Sequence, residues 1–573
     1  MGNPKQFHIN SGGKETHSFD AIVIGSGISG GWAAKELCEG GLKTLVLERG
    51  RNVEHIKDYP TANMNPWEFP HYLNNTKKDF DENPIQSTAY TEATRHFYVN
   101  DREHPYIQDT SFNWIRGYQV GGRSLTWGRQ CYRMSDLDFE ANGKDGIGVD
   151  WPIRYRDIAP WYDYVENYIG VSGKLEGLSQ LPDGKFLPPM EMNCIETHFA
   201  NSTRQQFKDR RVTIARVANV TKGWNGRGPC QYRNLCDRGC PFGGYFSSNS
   251  STLPAAQRTG NLTLFDNSIV QEIIYDKEGR RASGVRVVNA LTNKVTDYFA
   301  KIIFLNASTI PTASILLQSV SNEFPNGLGN SSNQIGHNIM DHFTGTGAQG
   351  MHEGFVDQYY AGRRPCGIYI PRFRNLLGTE KQDFVRGYGF QGTGSRLDWH
   401  DPGYVSGIEG FGEEFKRKSF GPGPWFLWIG AWGEVLPNHG NSVTLSTERR
   451  DKWGLPIPIL HYEHDENERA MRKDVIVSAQ EMLEHAGFKN IQTYSHEQPG
   501  GSAIHEMGTA RMGRDPKTSV LGAHNQLHDI KNIFITDGSC MSSGGCQNPS
   551  LTYMALTARA CAYAVDLYRK GDL

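Results

Sequence analysis

Apolar, largely β-branched residues run without interruption at Ala21-Ile22-Val23-Ile24 and stop at Gly25-Ser26-Gly27-Ile28-Ser29-Gly30-Gly31, after which a helical pattern continues through Leu37. A second run, Thr44-Leu45-Val46-Leu47, ends in Glu48. Strands covered on both faces read as unbroken apolar runs, so the pattern predicts a βαβ unit opening a doubly wound sheet. From Val53 to Thr110 the chain turns irregular and rich in Pro, Asn and aromatics, which predicts a long excursion. Strand patterns return at Leu262-Phe265, Val270-Tyr275, Gly284-Val288 and Ile302-Leu305. Between about 345 and 498 the texture changes to aromatic-rich strands with Gly and Pro turns, such as Trp425-Phe426-Leu427-Trp428 and Val443-Thr444-Leu445, predicting a second, antiparallel sheet. An apolar strand at Asn532-Asp537 and a helix from about Ser550 to Tyr568 close the chain. No internal repeat or low-complexity linker separates the two textures, so the expected domains interleave.

Composition narrows the classes. At 573 residues the chain can bury two cores, and a formal charge of −2 gives no basic face for a nucleic-acid partner. No run approaches the roughly 20 apolar residues of a membrane helix, and Met1 to Ser18 carry neither the apolar core of an export signal nor a twin-arginine pair. Gln6 stands where a myristoylation motif has Ser or Thr, so the start reads as a plain arm. Ten cysteines are too few for a disulfide scaffold of this size, yet three crowd between Cys230 and Cys240.

Three constellations carry chemistry. Gly25-x-Gly27-x-x-Gly30, set between strand and helix, lets backbone N–H groups approach a pyrophosphate, and Glu48 stands where a carboxylate accepts from a ribose diol. The spacing itself does not choose FAD over NAD. In the second, His505-Glu506-Met507-Gly508-Thr509-Ala510-Arg511-Met512-Gly513 precedes Asn548-Pro549. Neutral His505 can accept an alcohol proton and Asn548 can donate to the oxygen; an ordinary turn histidine is the alternative for one of 19. The third is Cys230, Cys236 and Cys240, the last followed by Pro241. Three thiolates so placed suit a 3Fe-4S iron–sulfur cluster, whereas zinc lacks a fourth ligand in the stretch, and a disulfide with a spare thiol remains the plain alternative.

Taken with Val120-Gly121-Gly122-Arg123-Ser124-Leu125-Thr126-Trp127 and Asp537-Gly538, these blocks make nearly the whole chain resemble the glucose-methanol-choline (GMC) oxidoreductase family. The resemblance implies an α/β fold in which a Rossmann-like FAD-binding domain interleaves with an α+β substrate domain built on an antiparallel sheet. Expected boundaries are 18–60, 111–150, 212–345 and 501–573 for the FAD domain, which carries the cysteine loop 230–244, and 61–110, 151–211 and 346–500 for the substrate domain and excursions. His505 and Asn548 would be the catalytic pair at the flavin, with His505 the base. Gly25, Gly27, Gly30, Glu48, Gly122, Ser124, Thr126, Val270, Asp537, Asn548, Pro549 and Ser550 would hold the cofactor. Thr126 stands where some pyranose oxidases of the family carry a flavin-linked histidine, which implies non-covalent FAD.

The cysteine triplet resembles that of bacterial FAD-dependent sugar dehydrogenase catalytic subunits. This implies a sugar or glycoside substrate, electron relay through the cluster to a cytochrome c acceptor, and a small partner subunit bearing the export signal. Location would be periplasmic with that partner and cytoplasmic without it. The competing expectations are an oxidase that releases hydrogen peroxide and a non-enzymatic flavoprotein. Weaker candidates are Tyr359-Tyr360, Tyr369 and Trp425 to Trp432 as sugar-stacking faces, though sheet core is the better reading for most of them. Glu434 could bind a substrate hydroxyl or His505, or lie exposed, and His337, Asp341 and His342 are too few for a metal site.

Overall fold

The computed structural model describes residues 17–573 apart from 360, 361, 363, 377, 379, 399 and 400, so the N-terminal arm before residue 17 and Tyr360 lie outside the described residues. The elements used below are β1 (Ser18–Ile24), α1 (Ile28–Glu39), β2 (Thr44–Leu47), β3 (Leu262–Phe265), β4 (Ser268–Asp276), β5 (Arg281–Asn289), β6 (Val295–Leu305) and α2 (Thr309–Gln318). They continue with β7 (Thr346–His352), β8 (Ile368–Ile370), β9 (Tyr388–Arg396), β10 (Trp425–Glu434), α3 (Glu466–His485), β11 (Lys489–Ser495), β12 (Ile533–Ile535) and α4 (Ser550–Lys570).

The first sheet runs β3-β2-β1-β6-β5-β4, with β12 also paired to β6. Strands β3, β2, β1, β6 and β12 are mutually parallel, and β4, β5 and β6 form an antiparallel meander at one side. Period-two geometry explains the unbroken apolar run of β1: Ala21 and Val23 pack with α1 and α4 residues such as Leu37 and Ala564, while Ile22 and Ile24 join the core on the opposite face. Each fully buried aliphatic side chain of this kind contributes about 1.5–3 kcal/mol of transfer free energy.

The second sheet runs β11-β7-β10-β9-β8 and ends on the pair Thr213–Ile214, all antiparallel, with His342–Phe343 also paired to β10. Helix α3 covers β7 and β11, burying Met471, Val475, Ala479 and Met482. Both expected sheets are present, so the fold is the mixed α/β architecture anticipated above. Helix α2 ties the cores together, giving Ile315 and Leu316 to one and Ile310 and Ala313 to the other. The excursion over 53–110 holds mostly turns and single-turn helices, the longest being the six residues Lys77–Glu82. Among the described residues no helix is long and apolar enough to cross a membrane.

Candidate active site

The turn between β1 and α1 can be made only by the glycines found there. Gly25 has φ +96°, and a Cβ on it would lie 2.4 Å from the Asn306 carbonyl oxygen. A Cβ on Gly30 would lie 1.9 Å from the Gly25 carbonyl oxygen, so α1 approaches the turn closely only without a side chain. A Cβ on Gly27 meets nothing within 4 Å, because Gly27 caps the N-terminus of α1 at the edge of open space. That space is a cavity of about 460 Å³. Its wall includes Gly25, Gly27, Glu48, Gly122, Ser124, Thr126, Val270, Asp537, Asn548, Pro549 and Ser550, which is every expected cofactor residue except Gly30, and it includes His505 as well.

Several of these residues are already braced. The Glu48 carboxylate accepts from the Ser26 N–H (3.1 Å), the Ser26 hydroxyl (2.6 Å) and the Gly50 N–H (2.9 Å). Burial raises its pKa above the usual carboxylate range, and these donors pull it back toward the charged form. Ser124 is wholly buried, donating to the Gly121 carbonyl (2.5 Å) and accepting from the Ser248 N–H (3.0 Å), so it ties the loop rather than pointing at a ligand. Asp537 accepts from the Ser308 N–H (2.9 Å) and Thr312 hydroxyl (2.6 Å) on one oxygen and from the Ser539 N–H (3.0 Å) on the other.

The cavity suits a dinucleotide. The N-termini of α1 and α4 end on it, giving two positive dipole ends. Two buried polar atoms on the wall, Asn306 Nδ2 and Tyr553 Oη, have no hydrogen-bond partner among the described residues, which leaves donors for a bound molecule.

At the other end stand His505 and Asn548. Asn548 Nδ2 lies 3.2 Å from His505 Nε2, and Asn548 Oδ1 accepts from Gln391 Nε2 at 2.7 Å. His505 Nδ1 lies 2.9 Å from His342 Nδ1. Asp341 accepts the backbone N–H groups of His505 (3.0 Å) and Ala503 (3.1 Å), fixing the turn that presents the imidazole. Burial, then the neighbouring imidazole and the Arg123 guanidinium, hold His505 well below the usual histidine range. Arg123 is itself paired with buried Glu506 at 2.8 Å. Burial, with the Glu506 charge next, pushes Asp341 up to about 7.

Two residues here escaped the sequence reading. Gln391 comes from β9 and His342 from the strand beside β10, 157 and 163 residues away from Asn548 and His505 respectively. No local motif marks either. The sequence grouped His342 with His337 and Asp341, but the three diverge: His337 Nδ1 contacts the His439 carbonyl at 2.9 Å and Asp341 faces backbone N–H groups. Glu434 is neither exposed nor at His505; it is buried, 3.8 Å from the Arg386 guanidinium. Tyr369 stacks on Tyr132 at 3.7 Å inside the core and Trp425 is fully buried, whereas Trp432 lines the cavity.

The cysteine loop lies outside the cavity wall. Cys230, Cys236 and Cys240 are free and half-buried. Burial raises Cys230 to about 11 and also raises Cys236, keeping both as thiols. Among the described residues no three His, Cys, Asp or Glu side chains are grouped so as to hold a metal ion. The three thiols are near enough to act on one another, Cys236 and Cys240 each helping to raise Cys230 and Cys240 helping to raise Cys236, but they do not form a metal-ion ligand set, so the 3Fe-4S expectation gains no support from the structure.

A dinucleotide-binding sheet whose cavity ends on a histidine–amide pair has the form of an oxidoreductase. The GMC oxidoreductase family models match residues 19–344 and 437–557, and the chain belongs to that family, whose members bind FAD. It is 28% identical to 2-methyl-1,2-propanediol dehydrogenase of Mycolicibacterium austroafricanum, over 95% of this chain and 94% of that one. It is 25% identical to the fructose dehydrogenase large subunit of Gluconobacter japonicus, over 97% and 99%. A solved formate oxidase of Aspergillus oryzae shares the fold, with a TM-score of 0.61 at 14% identity, covering 98% of this chain and 100% of that one. The protein is thus an FAD-dependent oxidoreductase of CH–OH donors.

Proposed function

We propose that the chain is a dehydrogenase that oxidises a hydroxyl of a sugar or glycoside, with His505 as base and Asn548 as oxygen-holding donor. The observation that carries this is the 3.2 Å contact between Asn548 Nδ2 and His505 Nε2 on a wall continuous with the glycine turn. An amide nitrogen donates only, so Nε2 carries the lone pair a base needs. The glycine turn, Glu48 and the α4 N-terminus would hold FAD, which would supply the hydride acceptor, and Thr126 offers no ring nitrogen for a covalent link. A substrate hydroxyl seated on the cavity side against both groups gives its proton to His505 Nε2 while Asn548 Nδ2 turns its donor to the oxygen. Gln391 holds the amide in the orientation that makes this possible. Trp432 and Trp127 offer apolar faces for the C–H side of a sugar ring.

The acceptor is proposed to be a partner protein rather than oxygen. Its support is the subunit named in the Gluconobacter relative and the place of the cysteine loop in the chain, since Phe246, just after that loop, accepts from the indole of the wall residue Trp127 (2.9 Å). Cysteine spacing favours an iron–sulfur relay to a cytochrome c, and the absence of a gathered metal-ion ligand set among the described residues counts against it. An export-signal subunit and a periplasmic location rest on the same resemblance. With oxygen as sole acceptor sugar turnover should be slow, and ferricyanide should raise it by an order of magnitude or more; equal rates with both would make the chain an oxidase.

A further inference from the structure

We propose that His342 is a positioning residue that locks His505 in the tautomer able to act as base. One acceptor beside His342 has a fixed role. His342 Nε2 lies 2.8 Å from the Gly545 carbonyl oxygen, which has no hydrogen to give, so Nε2 must bear the proton. A neutral imidazole has one N–H, which leaves His342 Nδ1 as a lone pair. That lone pair sits 2.9 Å from His505 Nδ1, so His505 carries its hydrogen on Nδ1 and presents a bare Nε2 to Asn548 and the substrate. Burial holds His342 down to about 4, so it is neutral at ordinary pH and acts as an acceptor rather than as a repelling cation.

The anchor is itself fixed. Gly545 has φ +59°, and a Cβ there would lie 2.3 Å from Gln547 Oε1 and 3.2 Å from Asp138 Oδ1. Gln547 in turn donates to Asp138 at 3.2 Å. The carbonyl that sets the tautomer thus belongs to the segment that also carries Asn548, so one short stretch aims both groups. When His505 takes the substrate proton on Nε2, its Nδ1–H remains donated to His342. The proton can go no further than His342, because the Gly545 carbonyl accepts a hydrogen bond without accepting a proton.

The inference rests on His505 being the base, and two readouts separate the ideas. Nitrogen-15 NMR of histidine-labelled, FAD-loaded enzyme should show His505 protonated at Nδ1 in the resting state whether or not it is the base; a resting Nε2–H tautomer overturns the lock. In anaerobic stopped-flow with glucose or a methyl glucoside, His342→Leu should slow flavin reduction by roughly 10²-fold with little change in substrate Kd, since the base is then partly in the wrong tautomer. His342→Gln, whose amide oxygen can accept from Nδ1–H, should recover most of that loss while flavin content and near-ultraviolet circular dichroism match the wild type. Leu and Gln variants that reduce flavin equally, at any rate, overturn the proposal.

Discussion

His505→Ala is expected to purify with its full complement of FAD and to reduce that FAD with substrate about 10²–10⁴-fold more slowly, the usual contribution of a positioned general base. The imidazole lines the cavity, and its hydrogen bonds go to Asn548 and His342 rather than to the glycine turn or Glu48, so its removal leaves those groups in place. Asn548 Nδ2 loses an acceptor but faces the cavity, where water can replace it. Single-turnover stopped-flow under anaerobic conditions reads the effect on the chemical step. A rate close to that of the wild type would remove His505 from the mechanism.

The second large effect belongs to the turn and is read best as a contrast. Gly30→Ala places a Cβ 1.9 Å from the Gly25 carbonyl oxygen and 2.8 Å from its carbon, and both are backbone atoms that cannot swing away. Helix α1 must shift off β1, at a cost of about 1–3 kcal/mol or more by the usual scale of overpacking, and the protein should purify colourless with a lowered Tm. Gly27→Ala adds the same methyl where nothing lies within 4 Å, so the fold should keep its Tm as apoprotein. Its Cβ enters the space a pyrophosphate would occupy, so FAD affinity alone should drop. Thermal denaturation of both apoproteins with FAD titration checks this; equal losses of Tm would mean that the turn is not closed by Gly30 in the way the packing indicates.

How far these features could be read from residues alone varies with range. The β1-α1-β2 unit was legible because its signals are local: an apolar run, a glycine turn and a helical period within thirty residues. His505 and Asn548 were legible through their neighbours in sequence. His342 and Gln391 were not, because their meaning arises only when two sheets bring distant residues against one imidazole. Glu434 misled for the same reason, since only Arg386 across the core explains a carboxylate at the inner end of β10. The cysteine triplet shows a different limit: closeness in sequence is plain, but spacing alone does not say whether three neighbouring thiols hold a cluster.

The most direct test of the account is a combined visible and low-temperature EPR spectrum of the anaerobically purified chain, taken before and after adding glucose or a methyl glucoside. The proposed function predicts an oxidised flavin bleached by the sugar, with an iron–sulfur signal if the cysteine loop gathers its thiols around a cluster. Bleaching without iron would leave the alcohol chemistry standing and end the relay. A flavin that no sugar or glycoside bleaches would contradict the sugar dehydrogenase reading itself.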